Sequence, residues 1–301
     1  MKNLNLVDVD KSDIKYKISK FPSGQQNIII DKNDCLEGDF ILTHKECIVI
    51  IKSRLNNFLD LELIMCACAS LRELGVEEIH LYVPFIDGRQ DNKFEEGSNY
   101  YIKSVLAPII NSLNFKSVTC IDSHSLVLDN CINNFKKVSN LELVKFTIQD
   151  LCGFTHGRNP KVDEFILVSP DAGASKKIYK IAEQIGYKGN IITCSKDRDV
   201  NGNLNKVVVP LNGSIAPEKD FVIIDDICDG GATFINIAKE INKYYEGFNT
   251  KKYLIVTHGI FSKGTTELGY YFDGIYCTNS YQSFSNAIVH NSSLIKQLNI
   301  F

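Results

Sequence analysis

The chain has no excess of charge of either sign. Over 301 residues, 33 Lys and Arg stand against 36 Asp and Glu, a net charge of −3. With a pI of 6.1, that balance excludes a generally basic nucleic-acid binder, and no run of like charge forms a tail. No stretch approaches the roughly 18 to 20 unbroken apolar residues of a membrane span. No apolar run follows Lys2, so no signal peptide is expected. C-x-x-C is absent, and the six His lack ligand spacing, which speaks against zinc. Of the ten cysteines, Cys47, Cys66, Cys68, Cys120, Cys194, Cys228 and Cys277 lie in or beside apolar runs. They read as small core hydrophobes, and without a leader a disulfide framework is not expected. Gly/Ser linkers, low-complexity segments and short repeats are missing too. These absences point to a soluble, cytoplasmic, globular chain of ordinary 44% hydrophobic content.

What is present is a regular alternation of short apolar runs with helical periodicity. Cys47–Ile51, Ile79–Val83 and Val118–Ile121 read as strands. Leu61–Leu74 carries apolar residues at 61, 64, 65, 68 and 71 and is stopped by Gly75, the pattern of a helix. Ser98 is positioned to cap a second helix running toward Leu113, in which Pro108 must either kink the helix or sit where no donor is needed. The second half repeats the scheme: strands at Phe165–Val168, Ile191–Thr193, Phe221–Ile224 and Tyr253–Val256, helices at Ala174–Ile185 and Ala232–Tyr244. Such alternation predicts α/β architecture with mainly parallel sheets flanked by helices. The length suits two domains. The expected division is 1–150, 151–288 and a C-terminal segment 289–301 returning to the first domain.

Ligands in parallel sheets bind beyond the carboxyl ends of the strands, and there this sequence turns polar. The sharpest case is the run from Phe221 to Thr233, where a buried strand empties into Asp225 and Asp226, then Asp229-Gly230-Gly231-Ala232-Thr233 opens a helix. Paired carboxylates suit the vicinal hydroxyls of a ribose. Two glycines bring backbone N–H groups toward a phosphate at a helix start, and Thr233 adds a hydroxyl. An acidic cap after a core strand would account for one Asp and one Gly, not for the whole string.

This segment resembles the ribose-phosphate loop of type I phosphoribosyltransferases and ribose-phosphate pyrophosphokinases. Other segments resemble the pyrophosphokinase's motifs in order: Phe21-Pro22-Ser23-Gly24-Gln25, then Pro84 to Lys93 with Arg89-Gln90-Asp91, then Asp122-Ser123-His124. Val168 to Ala174, Thr257-His258-Gly259 and Thr278-Asn279-Ser280 follow. The resemblance covers about residues 20 to 300. It implies two similar type I phosphoribosyltransferase-like domains with the site between them, and pyrophosphoryl transfer from MgATP to the 1-hydroxyl of a ribose 5-phosphoryl sugar. It further implies ATP contacts from Phe21, Ser23, Gln25, Arg89, Gln90 and Asp91. The pyrophosphate loop would be Asp171, Ala172, Gly173, Ala174 and Ser175, with Lys177 an additional charge. Mg²⁺ would be held at His124 and Asp171, and the ribose phosphate at Asp225, Asp226 and Asp229 to Thr233. Lys196 and Arg198, two residues apart, would be the catalytic pair on a loop closing over the phosphates. The family's assembly implies a homo-oligomer, a dimer or a hexamer, with no nucleic-acid or membrane partner.

Departures from the family pattern are informative. Ser23 and Gln25 stand where acids are usual, and Ala172 and Ala174 alter the pyrophosphate loop. Gly230 replaces a hydroxyl residue in the sugar-phosphate cradle and opens volume. A terminal phosphate loses a donor there, whereas a phosphate continuing into a second phosphate gains space. Two acceptors therefore stay open: ribose 5-phosphate, the family's usual one, and ADP-ribose, which would lead toward NAD synthesis. Tyr100, Tyr101, Tyr270 and Tyr271 are available to stack an adenine. A catalytically inactive regulatory homologue is the reading from another class; retention of Lys196, Arg198, His124, Asp171 and the Asp225–Asp226 pair argues against it.

Overall fold

A computed structural model describes residues 1–35, 47–88, 96–97, 99–152, 165–198, 204–211, 219–284 and 294–301, and only the backbone at 197, 198 and 204–206. The chain divides into two compact units, Met1–Ser139 with Phe301, and Asn140–Ile300.

The first unit contains β1 (Lys2–Asn5), β2 (Tyr16–Lys20), β3 (Gln26–Ile30), β4 (Ile48–Lys52), β5 (Glu78–Tyr82), β6 (Ser117–Ile121) and β7 (Phe135–Val138). Five of these form a parallel sheet in the order β1-β4-β5-β6-β7, and β2 and β3 make a separate antiparallel hairpin. The helix Phe58–Glu73 buries Leu61, Ile64, Ala67, Cys68 and Leu71. Asn57 caps it by accepting from the N–H groups of Leu59 and Asp60, and Asp60 answers back to complete a capping box. Gly75, at φ +86°, ends it as expected. The expected second helix is present as a π-helical turn, Tyr101–Leu106, continuing into an α-helix, Ala107–Ser112. Pro108 sits in the first turn of the α-helical part, where its missing N–H is harmless. Ser98, the expected cap, lies outside the described residues.

The second unit contains β8 (Phe165–Ser169), β9 (Ile191–Thr193), β10 (Ser195–Arg198), β11 (Leu204–Val208), β12 (Asp220–Cys228), β13 (Lys252–Gly259), β14 (Gly274–Thr278) and β15 (Ile295–Leu298). Its sheet is parallel throughout, in the order β15-β14-β13-β12-β8-β9, and β10 pairs antiparallel with β11. Val222 and Ile224 of β12 face a cluster with Ile178 and Ile181, whereas Phe221 and Ile223 face another with Phe234, Ile237 and Ile241. A strand buried on both faces reads as an unbroken apolar run, which is why this stretch was legible.

The division falls at 139/140 rather than at the expected 150, because the helix Leu141–Cys152 buries Leu143, Val144 and Ile148 among the second unit's apolar residues. Of the final residues expected with the first domain, only Phe301 belongs to it; β15 is the edge strand of the second sheet. The cysteines carry no disulfides, and six of the ten are buried. Among the described residues no helix is long and apolar enough to cross a membrane, and no group of His, Cys, Asp and Glu could enclose a metal ion.

Candidate active site

In the second sheet the chain passes from β8 outward to β9 on one side and to β12 on the other. The crevice between the carboxyl ends of β8 and β12 is thus a topological switch point, the place where open parallel sheets bind ligands. Residue 223 of β12 lies opposite residue 168 of β8, so the loop beginning at Asp171 and the Asp225–Asp226 pair emerge side by side.

Asp171 caps the helix Ala172–Gln184: one carboxylate oxygen accepts from the Ala174 N–H at 3.0 Å. The other accepts from Lys196 Nζ at 2.7 Å, joining the pyrophosphate-loop residue to the expected catalytic lysine. Burial raises the carboxyl's affinity for a proton, but the Lys196 ammonium and the N–H groups of Ala174 and Gly173 outweigh it and hold Asp171 below its ordinary pKa. Ser175 and Thr193 share a hydroxyl hydrogen bond at 3.0 Å, tying that helix to the end of β9. Ala172 and Gly173 are exposed and Ala174 is buried. Arg198 lies on β10, which pairs antiparallel with β11 with a shift of register between Asp197 and Arg198.

The second loop differs in one respect from expectation. β12 does not end before the acids; it continues through Cys228, paired with β13 as far as Gly259. Asp225 and Asp226 therefore point to opposite faces of a strand. The Asp226 N–H donates to Asp225 Oδ1 at 2.9 Å, and Lys177 Nζ lies 3.9 Å from Asp226. Burial first, and then the charge of Asp226, push the Asp225 carboxyl up to about 8. Both influences favour the protonated carboxyl, a form that donates a hydrogen bond as well as accepting one. Past the strand, Gly231 adopts φ +79° and precedes the helix Ala232–Tyr244, whose first turn has no side-chain cap. No side chain therefore caps the first N–H groups of this helix, those of Ala232 and Thr233 among them. A Cβ at Gly231 would meet Leu268 at 3.2 Å, so this glycine is required twice over. Gly230 is different. Its φ is not positive, and a Cβ there would meet only the Lys263 stem, at 3.5 Å.

In the first unit, Phe21, Ser23 and Gln25 are exposed in the turn that joins β2 to β3. Phe21 and Gln25 close the turn through a backbone hydrogen bond at 2.9 Å, with Gly24 at φ +97°. His124 is exposed just beyond β6, after Asp122, which is buried with φ +48°. Arg89, Gln90 and Asp91 lie outside the described residues.

Two motifs of the sequence prove to be interior. Thr257, His258, Thr278 and Ser280 are buried and joined by hydrogen bonds: His258 Nδ1 to Ser280 Oγ at 2.8 Å, and the Thr278 hydroxyl to the Thr257 carbonyl at 2.6 Å. Tyr270 and Tyr271 line a cavity of about 450 Å³ with Lys252 and Asp273, the residues that open β13 and precede β14. That is the end of the strands opposite to Asp225, so these tyrosines do not serve its ligand. Lys263, beside Gly230, was not identified from sequence; its only signal is that it follows β13, the strand next to β12.

No family model matches the chain. Among curated proteins, the ribose-phosphate pyrophosphokinase of Mycoplasmopsis pulmonis is 28% identical over 249 residues, 78% of this chain and 70% of that one. That of Pyrococcus abyssi is 23% identical, over 84% of this chain and 79% of its own. The crystal structure of phosphoribosylpyrophosphate synthetase from Mycobacterium smegmatis superposes with a TM-score of 0.70 over 97% of this chain and 88% of that one, at 17% identity. This likeness establishes the α/β fold, with parallel sheets flanked by helices. Along most of both chains, and with an acid–glycine loop at its switch point, the chain is thus similar to ribose-phosphate pyrophosphokinases.

Proposed function

We propose that the protein transfers the pyrophosphoryl group of MgATP to the anomeric 1-hydroxyl of a ribose 5-phosphoryl sugar, releasing AMP, with ribose 5-phosphate as acceptor and phosphoribosyl pyrophosphate as product. The observation that carries this reading is the convergence at one switch point of the Asp171–Lys196 pair, the Asp225–Asp226 pair and the uncapped helix start after Gly231. A hydroxyl attacking a phosphoryl group needs orientation and charge neutralisation more than covalent help.

In this reading Asp225 and Asp226 orient the ribose hydroxyls, one able to donate and the other to accept. The N–H groups from Gly230 to Thr233 hold the 5-phosphate, with Asp229 beside them. Asp171, Ala172, Gly173, Ala174 and Ser175 cradle the pyrophosphoryl group, and Lys196 with Arg198 opposes the charge that moves toward AMP. Phe21, Ser23, Gln25, Arg89, Gln90 and Asp91 take the nucleotide. Asp171, held ionised, and the exposed His124 suit Mg²⁺ that keeps most of its waters, and no protein cage is needed. Bound there, the ion would screen the triphosphate and leave this chain's residues to position the acceptor. The cytoplasm supplies the nucleotide, and a homo-oligomer is the assembly we assign.

A second acceptor, ADP-ribose, is favoured by one feature, the side-chain-free Gly230, beside which the Lys263 stem lies where a hydroxyl side chain would otherwise stand. Release of AMP from ATP, measured separately with ribose 5-phosphate and with ADP-ribose, tests the proposal. Absence of AMP with both acceptors would leave only the inactive regulatory reading.

A further inference from the structure

We infer that Lys263 is a specificity residue of the acceptor site, placed to hold the second phosphate of a ribose whose 5-phosphate is linked onward as a diphosphate. The inference rests on the phosphate-cradle reading of Asp229 to Thr233 given above and deepens it.

Gly231 is explained by its backbone, but Gly230 is not: its φ lies outside the left-handed region, so any L residue could occupy it. The side of the turn that carries no side chain is lined by another residue. Cδ and Cε of Lys263 lie 3.5 Å, and Cγ 3.8 Å, from where a Cβ of Gly230 would stand. These are van der Waals distances, so the aliphatic stem runs along the glycine turn. Its ammonium is one bond beyond Cε, about 1.5 Å further. A cation is thus brought to the rim of the turn by a loop 33 residues distant in sequence.

The charge pattern around it is selective. Lys196 is paired with Asp171 and Lys177 faces Asp226. Lys263 is exposed, and among the described residues it has no carboxylate partner. The two lysines at the crevice are already opposed by acids, while the one at the rim retains its charge for a ligand.

Geometry then distinguishes the acceptors. A terminal monophosphate is met by the N–H groups of the helix start, whose partial positive charge falls off within the first turn. A diphosphate carries a second negative charge one linkage further out, beyond reach of that turn. The side of the turn that Gly230 leaves open is where Lys263 lies. The ligand class that Lys263 would favour is therefore that of the second acceptor, a nucleoside-diphosphate ribose with a free anomeric hydroxyl, for which ADP-ribose is the probe.

The test is calorimetric binding of ADP-ribose and ribose 5-phosphate to the full chain, wild type, Lys263→Ala and Lys263→Arg, with AMP release measured in parallel. A charge-assisted contact is worth about tenfold or more in affinity. We expect Lys263→Ala to weaken ADP-ribose at least tenfold and ribose 5-phosphate by about threefold or less, with Lys263→Arg recovering most of the loss. Equal losses on both acceptors, no loss on either, or a wild type that binds ribose 5-phosphate and not ADP-ribose overturns the inference. If ADP-ribose binds and the variants discriminate as expected while no AMP appears, the pyrophosphoryl-transfer reading fails and the role of Lys263 stands.

Discussion

Asp225→Asn is the perturbation whose outcome depends most on the structure, because it tests the proton held in the acid pair. The carboxyl is pushed up to about 8 by burial and by Asp226, whereas in the unfolded chain it titrates near the ordinary 3.8. The native state therefore binds one more proton than the unfolded state between those values. Stability from this group is complete below about pH 4 and falls as pH rises, levelling off above about pH 8. At pH 7 the gap corresponds to at most about 4 kcal/mol, taking 1.36 kcal/mol for each pH unit. Partial solvent access reduces that to the order of 1 to 2 kcal/mol. Asparagine has the shape of the protonated acid and no titration. Asp225→Asn should accordingly match the wild type at pH 4 and melt higher at pH 7, by about 2 to 8 °C for a protein of this size. Thermal unfolding of both proteins at pH 4, 6, 7 and 8.5 measures the divergence. A difference that does not change with pH, or an Asn variant less stable at pH 8.5, refutes the protonated Asp225. Because Asn also keeps a donor, acceptor affinity at pH 7 should suffer less from Asp225→Asn than from Asp226→Asn.

Lys196→Ala should lower kcat by about 10² to 10³ with ATP affinity largely kept, since the ammonium acts where charge moves; its ion pair with Asp171 is worth only about 0 to 1 kcal/mol, so a melting curve near that of the wild type separates chemistry from unfolding. Gly231→Ala must force a side chain into a left-handed backbone and against Leu268, so a loss of about 1 to 3 kcal/mol in denaturant unfolding is expected, together with reduced acceptor affinity. Gly230→Thr meets neither obstacle and should fold normally; it should displace the Lys263 stem, lower ADP-ribose affinity, and tighten ribose 5-phosphate by about 1 kcal/mol through the added hydroxyl, all read by calorimetry.

The central strands were legible because burial on both faces makes an apolar run that no surface element imitates; Phe221–Ile224 is the clearest case. Its end was not legible. Two adjacent acids normally mark a loop, but β12 runs on to Cys228 because β13 is equally long and pairs with it to Gly259. The hairpin β2–β3 was seen only as its turn. Lys17, Ser19 and Lys20 are exposed, so little hydrophobic alternation distinguishes it from a loop. The chemistry divides similarly. Asp225, Asp226 and Gly231 carry their identity in a local string. The proton on Asp225 depends on burial, and the Lys263 stem beside Gly230 is a tertiary contact; neither leaves a trace in local sequence. Thr257-His258 and Thr278-Asn279-Ser280 show the converse. They read as signatures, yet their side chains hold the ends of β13 and β14 together.

The divergence of this chain has a physical pattern of its own. Gly230 removes a side-chain group but no backbone N–H, and backbone N–H groups are the donors on which a phosphate cradle chiefly relies. The charges that remain are arranged for exchange. Asp171 and Lys196 neutralise one another at 2.7 Å, and in the proposed reaction both belong to the neighbourhood of the same phosphates. When Lys196 turns from the carboxylate to a phosphate oxygen, it gives up a contact worth about 1 kcal/mol or less for one to a fuller negative charge. In that proposal the same movement would free an Asp171 oxygen for a cation. The pair is thus a preformed store of both charges, and it leaves neither of them alone in a half-buried crevice, which would cost several times more than the pair itself contributes.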